Sequence, residues 1–287
     1  MGRSMLGIAL CGALCSMGAH AADWKDVETI LGREGTVQGE MLKVTFPRSD
    51  LRVTVGEVPV ESGLALTSWV AFGKMWEQTM MMGDLVLLEN EVEPVMSALE
   101  SSAIEVTALH NHLLGETPHV LYMHFHAMGD ATALATHIKA ALGKTATPME
   151  RPSPATAQAT PDWSAVEQIL GKTGMHKGDI FSVGIPRAGK ITEDGFEIPP
   201  YLGVATSINI AMANGKAATT GDFVLTAKEV NPVIRALTGH GIAVTAVHIH
   251  MLEESPRLFF LHFWGYDQPD NLARWLKAAL AETHSAP

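Results

Sequence analysis

The chemistry this sequence can offer lies in closely spaced histidines. His110 and His112 stand two residues apart, and so do His124 and His126. Further on, His248 and His250 repeat the spacing, with His262 beyond them. In a β-strand, residues two apart share a face. Neutral imidazole is a ligand for zinc, copper, nickel and iron, so three rings converging on one point make a transition-metal site. The alternative is a hydrogen-bonded polar face lying under helices or loops. Glu116 and Glu254 occupy matched turn positions. They could add a carboxylate ligand or a base, or simply stand solvated. Arg48 and Arg187 each follow a proline and could contact an anion, or close a loop onto a carboxylate. Asp84 and Asp222 each follow a glycine and are expected to organise turns. Met80, Met81 and Met82 suit Cu(I), yet methionine runs usually fill irregular core space. The matched positions hold Ala218, Thr219 and Thr220, which argues against copper storage. The chain has no Walker loop, dinucleotide fingerprint, Gly-x-Ser-x-Gly elbow or His-Glu-x-x-His zinc motif.

Whether the histidines share a side depends on strand register. Leu109 and Leu113 alternate with His110 and His112, while Leu121, Met123 and Phe125 alternate with His124 and His126. If both apolar sets pack on one core, Leu113 lies opposite Leu121 and His110 opposite His124, with His112 diagonal. The same logic sets His248 opposite His262 and Met251 opposite Phe259. Opposed Cβ atoms lie about 4.5–5.5 Å apart and diagonal ones about 7–8 Å, within reach of imidazoles. His110, His112 and His124 are therefore expected to converge, and likewise His248, His250 and His262. Trp264 stands where the first set has His126, so the two sites need not be equal.

The elements that position these residues come in two tandem copies. Asp23-Trp24-x-x-Val27-Glu28-x-Ile30-Leu31-Gly32 recurs as Asp162-Trp163-x-x-Val166-Glu167-x-Ile169-Leu170-Gly171. Gly83-Asp84-x-Val86-Leu87 recurs from Gly221, Glu91-Val92-x-Pro94-Val95 from Glu229, and Ile104-x-Val106-Thr107-Ala108-x-His110-x-His112 from Ile242. Within a copy, Asp23 is a candidate N-cap of a short helix that stops at Gly32. Strands are expected at 41–46, 64–72, 84–88, 104–114 and 119–128, with an amphipathic helix over 91–99, where Pro94 fits the first turn, and a closing helix over 131–142. Helices mixed with hairpins point to an α+β fold, a tandem duplication of a mostly antiparallel sheet with helices packed on one face. The expected organisation is a signal peptide (1–21), a first repeat domain (22–142), an extended Pro/Ala/Thr-rich linker (143–161) and a second repeat domain (162–287).

The formal net charge of −11 argues against nucleic acid as a partner, because neutralising phosphates takes clustered Lys and Arg. At the N-terminus Arg3 precedes an apolar run, Met5 to Met17, that is too short to span a bilayer. Ala19-His20-Ala21 then reads as a cleavage site before Ala22. No second long apolar run follows, so no transmembrane segment is expected in the mature chain. Cys11 and Cys15 fall inside the leader, each after a leucine where lipidation wants a small residue. A soluble periplasmic or secreted protein is expected rather than a lipoprotein. The mature chain then has no cysteine, so any metal must be held by His, carboxylate or Met.

The series Gly83-Asp84-Leu85-Val86-Leu87, Glu91-Val92-x-Pro94-Val95, Glu105-Val106-Thr107-Ala108-Leu109-His110-Asn111-His112-Leu113-Leu114-Gly115-Glu116 and Met123-His124-Phe125-His126 resembles the LppY/LpqO family of bacterial exported proteins and lipoproteins, a domain of unknown function. The resemblance covers nearly all of the mature chain. It implies export and names no reaction. His248-Ile249-His250 departs from the expected His-Asn-His in the second copy. Two classes of function follow. One is a non-catalytic binding protein that takes a transition metal, with zinc or copper as candidates, or a small ligand. The other is a metal-dependent hydrolase or oxidoreductase. A structural or interaction module without metal is the blander alternative to both.

Overall fold

The computed structural model describes residues 23–150, 160–193 and 195–286. The expected signal peptide and the middle of the expected linker lie outside the described residues. The first half runs α1 (Lys25–Leu31), β1 (Thr36–Gln38), β2 (Met41–Pro47), β3 (Val53–Val55), β4 (Val58–Val60), β5 (Thr67–Met75), β6 (Gln78–Leu88), α2 (Glu89–Glu100), β7 (Glu105–His110), β8 (Glu116–Thr117), β9 (Val120–Gly129) and α3 (Ala131–Leu142). The second half runs α4 (Ser164–Leu170), β10 (Met175–Lys177), β11 (Ile180–Pro186), β12 (Thr192–Glu193), β13 (Phe196–Glu197), a 3-10 turn (Pro200–Leu202), β14 (Ala205–Ala213), β15 (Lys216–Leu225), α5 (Ala227–Thr238), β16 (Ala243–His248), β17 (Phe259–Asp267) and α6 (Pro269–Leu280). Each half builds one six-stranded antiparallel sheet. The orders, β1-β2-β5-β6-β9-β7 and β10-β11-β14-β15-β17-β16, are the same path through the fold. The fold is α+β and duplicated.

Alternation sorts the side chains of each sheet. Leu42, Val44 and Phe46 of β2 and Met123 and Phe125 of β9 face the helices, where they meet Val95, Leu99, Leu134 and Ile138. The second half repeats this with Phe181, Val183, Ile185, Leu261 and Phe263 against Val233, Leu237, Leu272 and Leu276. The other faces of the two sheets meet each other. Val86, Leu113 and Tyr122 cluster with Ile180, Ala211 and Ala218, and Ala71, Met80 and Met82 cluster with Val204, Val224 and Phe260. The layers are therefore helices, sheet, sheet, helices. This is why β6 is buried at nearly every position: both of its faces are covered. Met81 faces the helices while Met80 and Met82 fill the seam between the sheets.

Several sequence expectations change. Leu109 pairs with Met123 and His110 with Tyr122, so the β7–β9 register is two residues away from the one derived from Leu113 and Leu121. β16 against β17 shifts in the same way, with His248 opposite Phe260. The apolar anchors misled. β7 is an edge strand, Leu109 on it is 43% exposed, and Leu113 lies beyond its end in the seam between the sheets. A shift of two leaves the histidines on their expected face. α2 begins at Glu89, so Pro94 sits inside the helix rather than in its first turn. The start of the expected extended linker is docked: Arg33 donates to the carbonyls of Pro148 and Glu150, and Thr147 is buried.

Candidate metal centre

The histidines converge in the seam between the two sheets. His110 ends β7, His124 is in β9, and His112 lies two residues past β7. The second half places His248, His262 and His250 in the same way. Both edge strands carry a bulge, at Thr107 and at Thr245. The bulge re-aims these threonines across the seam. Thr107 Oγ1 donates to the His250 carbonyl at 2.6 Å, and Thr245 Oγ1 donates to the His112 carbonyl at 2.7 Å. Each half thus fixes the backbone of the other half's histidine. Asn111 adds a bond from Nδ2 to the Thr245 carbonyl, which Ile249 cannot return.

The rings meet in three pairs across the internal two-fold, two of them stacked and the His112–His262 pair tilted by 31°. His110 lies on His248 at 3.7 Å between centroids, His112 on His262 at 3.7 Å, and His124 on His250 at 3.9 Å. Tyr122 covers the other face of His112, and Phe260 covers that of His250. The donor atoms of His110, His112 and His124 lie within 4.8 Å of one another, and so do those of Asp222, His248, His250 and His262. The two sets touch: His110 Nε2 is 3.3 Å from His262 Nε2.

Asp84 and Asp222 complete the arrangement. They lie in the middle of β6 and β15, directly opposite His124 and His262, and they do not organise turns as expected. Asp84 Oδ2 is 3.6 Å from His112 Nε2 and 3.9 Å from His124 Nε2, and Asp222 Oδ2 is 3.2 Å from His250 Nε2. The glycine before each aspartate has two uses. Its carbonyl takes the imidazole, with His262 Nδ1 2.8 Å from the Gly221 oxygen and His124 bonded to Gly83. That bond sets the tautomer and turns Nε2 inward. A side chain at Gly83 or Gly221 would also collide with the neighbouring strand's carbonyl.

Burial dominates the electrostatics. It drives His110, His112, His124, His248 and His262 below the ordinary imidazole range, and neighbouring imidazoles lower most of them further. They are neutral, which is the metal-binding form. Asp84 is pushed up to about 8 by burial and then by Asp222 across the seam. Six imidazole nitrogens have no hydrogen-bond partner: His110 Nδ1, His112 Nε2, His124 Nε2, His250 Nε2 and both nitrogens of His248. Oδ1 of Asp84 and of Asp222 is unpartnered as well. Each such group costs about 1–3 kcal/mol when buried. A metal fits this donor set. Two nitrogens at about 2.0–2.1 Å from one tetrahedral zinc stand about 3.3 Å apart, which is the separation of His110 Nε2 from His262 Nε2.

A family profile described as Domain of Unknown Function (DUF1259) matches residues 25–144 and again 164–282. The chain belongs to this family. No curated protein matches it. Among solved structures, EtuB from Clostridium kluyveri is similar at 13% identity, over 86% of this chain and 90% of that one. The TM-score is 0.20, a likeness too slight to bear on fold.

The remaining expected residues fall outside the convergent sets of the two DUF1259 repeats. His126 is buried on the same strand face as His124, but it pairs with Met82 and lies past the cluster. Glu116 and Glu254 are buried rather than solvated. They hold their own loops, accepting the Val120 and Leu258 backbone N–H groups. Arg48 is fully buried between Glu91 and Asp50, and Arg187 is bonded to Glu229, so each closes a loop onto a carboxylate of its own repeat. Asp84 and Asp222 are the site residues that sequence reasoning missed. The available signal was an aspartate at matched positions inside a run otherwise apolar enough to be a buried strand.

Proposed function

We propose that this protein is exported and binds a divalent transition ion at one composite centre shared by its two repeats. The observation that carries this is the meeting of six imidazoles and two carboxylates in a buried seam, where five of the rings keep a nitrogen with no hydrogen-bond partner. His110, His112 and His124 with Asp84 form one half of the donor set, and His248, His250 and His262 with Asp222 form the other. An imidazole majority without thiolate suits zinc, copper, nickel or iron, and zinc and copper are the leading candidates. The two aspartates supply the anionic charge that offsets a dication. A bound ion would act as a Lewis acid, and the same centre would serve a metal-dependent hydrolase or oxidoreductase once a substrate reached it. No helix among the described residues is long and apolar enough to cross a membrane. The leader sequence and the resemblance to LppY/LpqO proteins support export.

Elemental analysis of protein purified from the periplasm tests the centre. One or two equivalents of metal are expected. His262→Ala should weaken uptake at least tenfold, while His126→Ala leaves it unchanged. Protein that takes up none of zinc, copper, nickel or iron would overturn the proposal and leave a polar seam without metal. N-terminal sequencing should begin at or near Ala22, and an intact Met1 form in the cytoplasm would overturn export.

A further inference from the structure

A narrow, partly closed cavity of about 10 Å³ adjoins the histidine cluster. It is lined by Trp69, Met82, Gly83, His124 and Phe125 of the first repeat and by Leu202, Val204, His250 and Met251 of the second. That volume is about one water molecule's worth of free space. Apart from the two imidazoles its side-chain wall is apolar, apart from the indole of Trp69. No acid, lysine or arginine lines it. A water held in a protein cavity makes about three hydrogen bonds. Here His124, His250, the Trp69 indole and backbone are the groups that could supply them; Nε2 of each histidine makes no hydrogen bond, although His250 Nε2 lies 3.2 Å from Asp222 Oδ2. With so few polar groups in the wall, a molecule in the cavity gains a further partner from a metal held by the adjoining histidines.

We infer that this cavity holds the exogenous ligand of the metal centre and that it admits one ligand of one or two heavy atoms, with larger ligands excluded. The inference rests on the metal-binding reading above. It narrows the substrate class to water, hydroxide, a diatomic gas or a diatomic anion, because Trp69, Phe125, Leu202 and Met251 leave no room for an organic molecule. The two sides of the internal two-fold differ in this respect. Leu64, Leu66 and Leu113 match Leu202, Val204 and Met251, but Ser207 and Thr220 stand where this side has Trp69 and Met82. The enclosing indole and thioether belong to one side only.

The full mature chain loaded with Co(II) tests this through its ligand-field absorption, titrated with cyanide and separately with thiocyanate, with cobalt content measured after gel filtration. In the natural protein cyanide should change the spectrum and thiocyanate should not. Val204→Ile adds one methylene to the wall and should weaken cyanide binding at least tenfold with cobalt content unchanged. Val204→Ala enlarges the cavity and should admit thiocyanate, an opposite response that general damage to the fold would not give. Equal responses to both anions in the natural protein, or undiminished cyanide binding in Val204→Ile, would overturn the inference. So would a silent spectrum with cobalt bound, and that result leaves the metal-binding reading standing. Failure to take up cobalt or any other ion removes both.

Discussion

Arg48 shows how much one buried charge demands. Its guanidinium is completely inaccessible, donates to the Val86 carbonyl, and is met by both Glu91 and Asp50. Arg187 has Glu229 and the Val224 carbonyl, with no second carboxylate bonded to it among the described residues. Removing one partner of a buried pair leaves the other uncompensated, at a cost of about 3–5 kcal/mol. Arg48→Met should therefore cost that much in urea unfolding, because two carboxylates are stranded, and Arg187→Met should cost less. An equal loss in both variants would show that Asp50 contributes nothing. At this scale the sequence was half legible. The six converging histidines could be named from spacing alone because face assignment survives an even register error. Asp84 could not, because an aspartate after glycine is usually a turn residue, and only burial on both faces of β6 marks it as something else.

The strands β6 and β15 position the most chemistry with the least freedom. Each carries its aspartate on the seam face and its glycine on the helix face, and each is hydrogen-bonded to strands on both sides. A Cβ at Gly221 would sit 2.0 Å from the Ser207 carbonyl oxygen, and one at Gly83 would sit 2.3 Å from that of Trp69. These obstacles are backbone and cannot rotate away. Gly221→Ala should destabilise the fold by about 2–3 kcal/mol, in the range of overpacked cores. It should also weaken metal uptake, because the Gly221 carbonyl that orients His262 moves with the strand. Denaturant unfolding and zinc titration on the same sample check both, and unchanged uptake at full stability would refute the link. The closing helix was legible in full, since Leu134, Ile138, Ala141 and Leu142 keep helical spacing after the Asp130 cap. Strand ends were not. β7 stops at His110, where the chain turns to put His112 under the opposite repeat, and the apolar pattern runs on regardless.

For the whole molecule, duplication was readable from the matched motifs, but the meeting of the two sheets was not, because intra-strand alternation does not say what covers a second face. That seam has a consequence for pH. Five of its imidazoles are held below the ordinary range in the folded chain, chiefly by burial. In the unfolded chain each titrates near its reference value of about 6.5. Below that pH the unfolded state binds protons that the folded state refuses, so stability is present above about 6.5 and is lost as pH falls. Each group contributes a slope of about 1.4 kcal/mol per pH unit. Asp84 works in the opposite sense. Folded, it keeps its proton up to about 8, so between its ordinary value of 3.8 and that pH it destabilises as pH rises. One carboxylate against the four imidazoles held furthest down, those of His110, His112, His124 and His248, leaves a net slope of about 4 kcal/mol per unit below pH 6. Against a typical domain stability of about 5–15 kcal/mol, that is enough to unfold the metal-free protein within about two units. Circular dichroism of metal-free protein should show a cooperative acid transition complete by about pH 4. His248→Phe removes one buried imidazole beside Phe260 and should make the transition shallower by one proton. A metal-free protein equally stable at pH 7 and pH 4.5 would mean that the seam opens and solvates its histidines without unfolding.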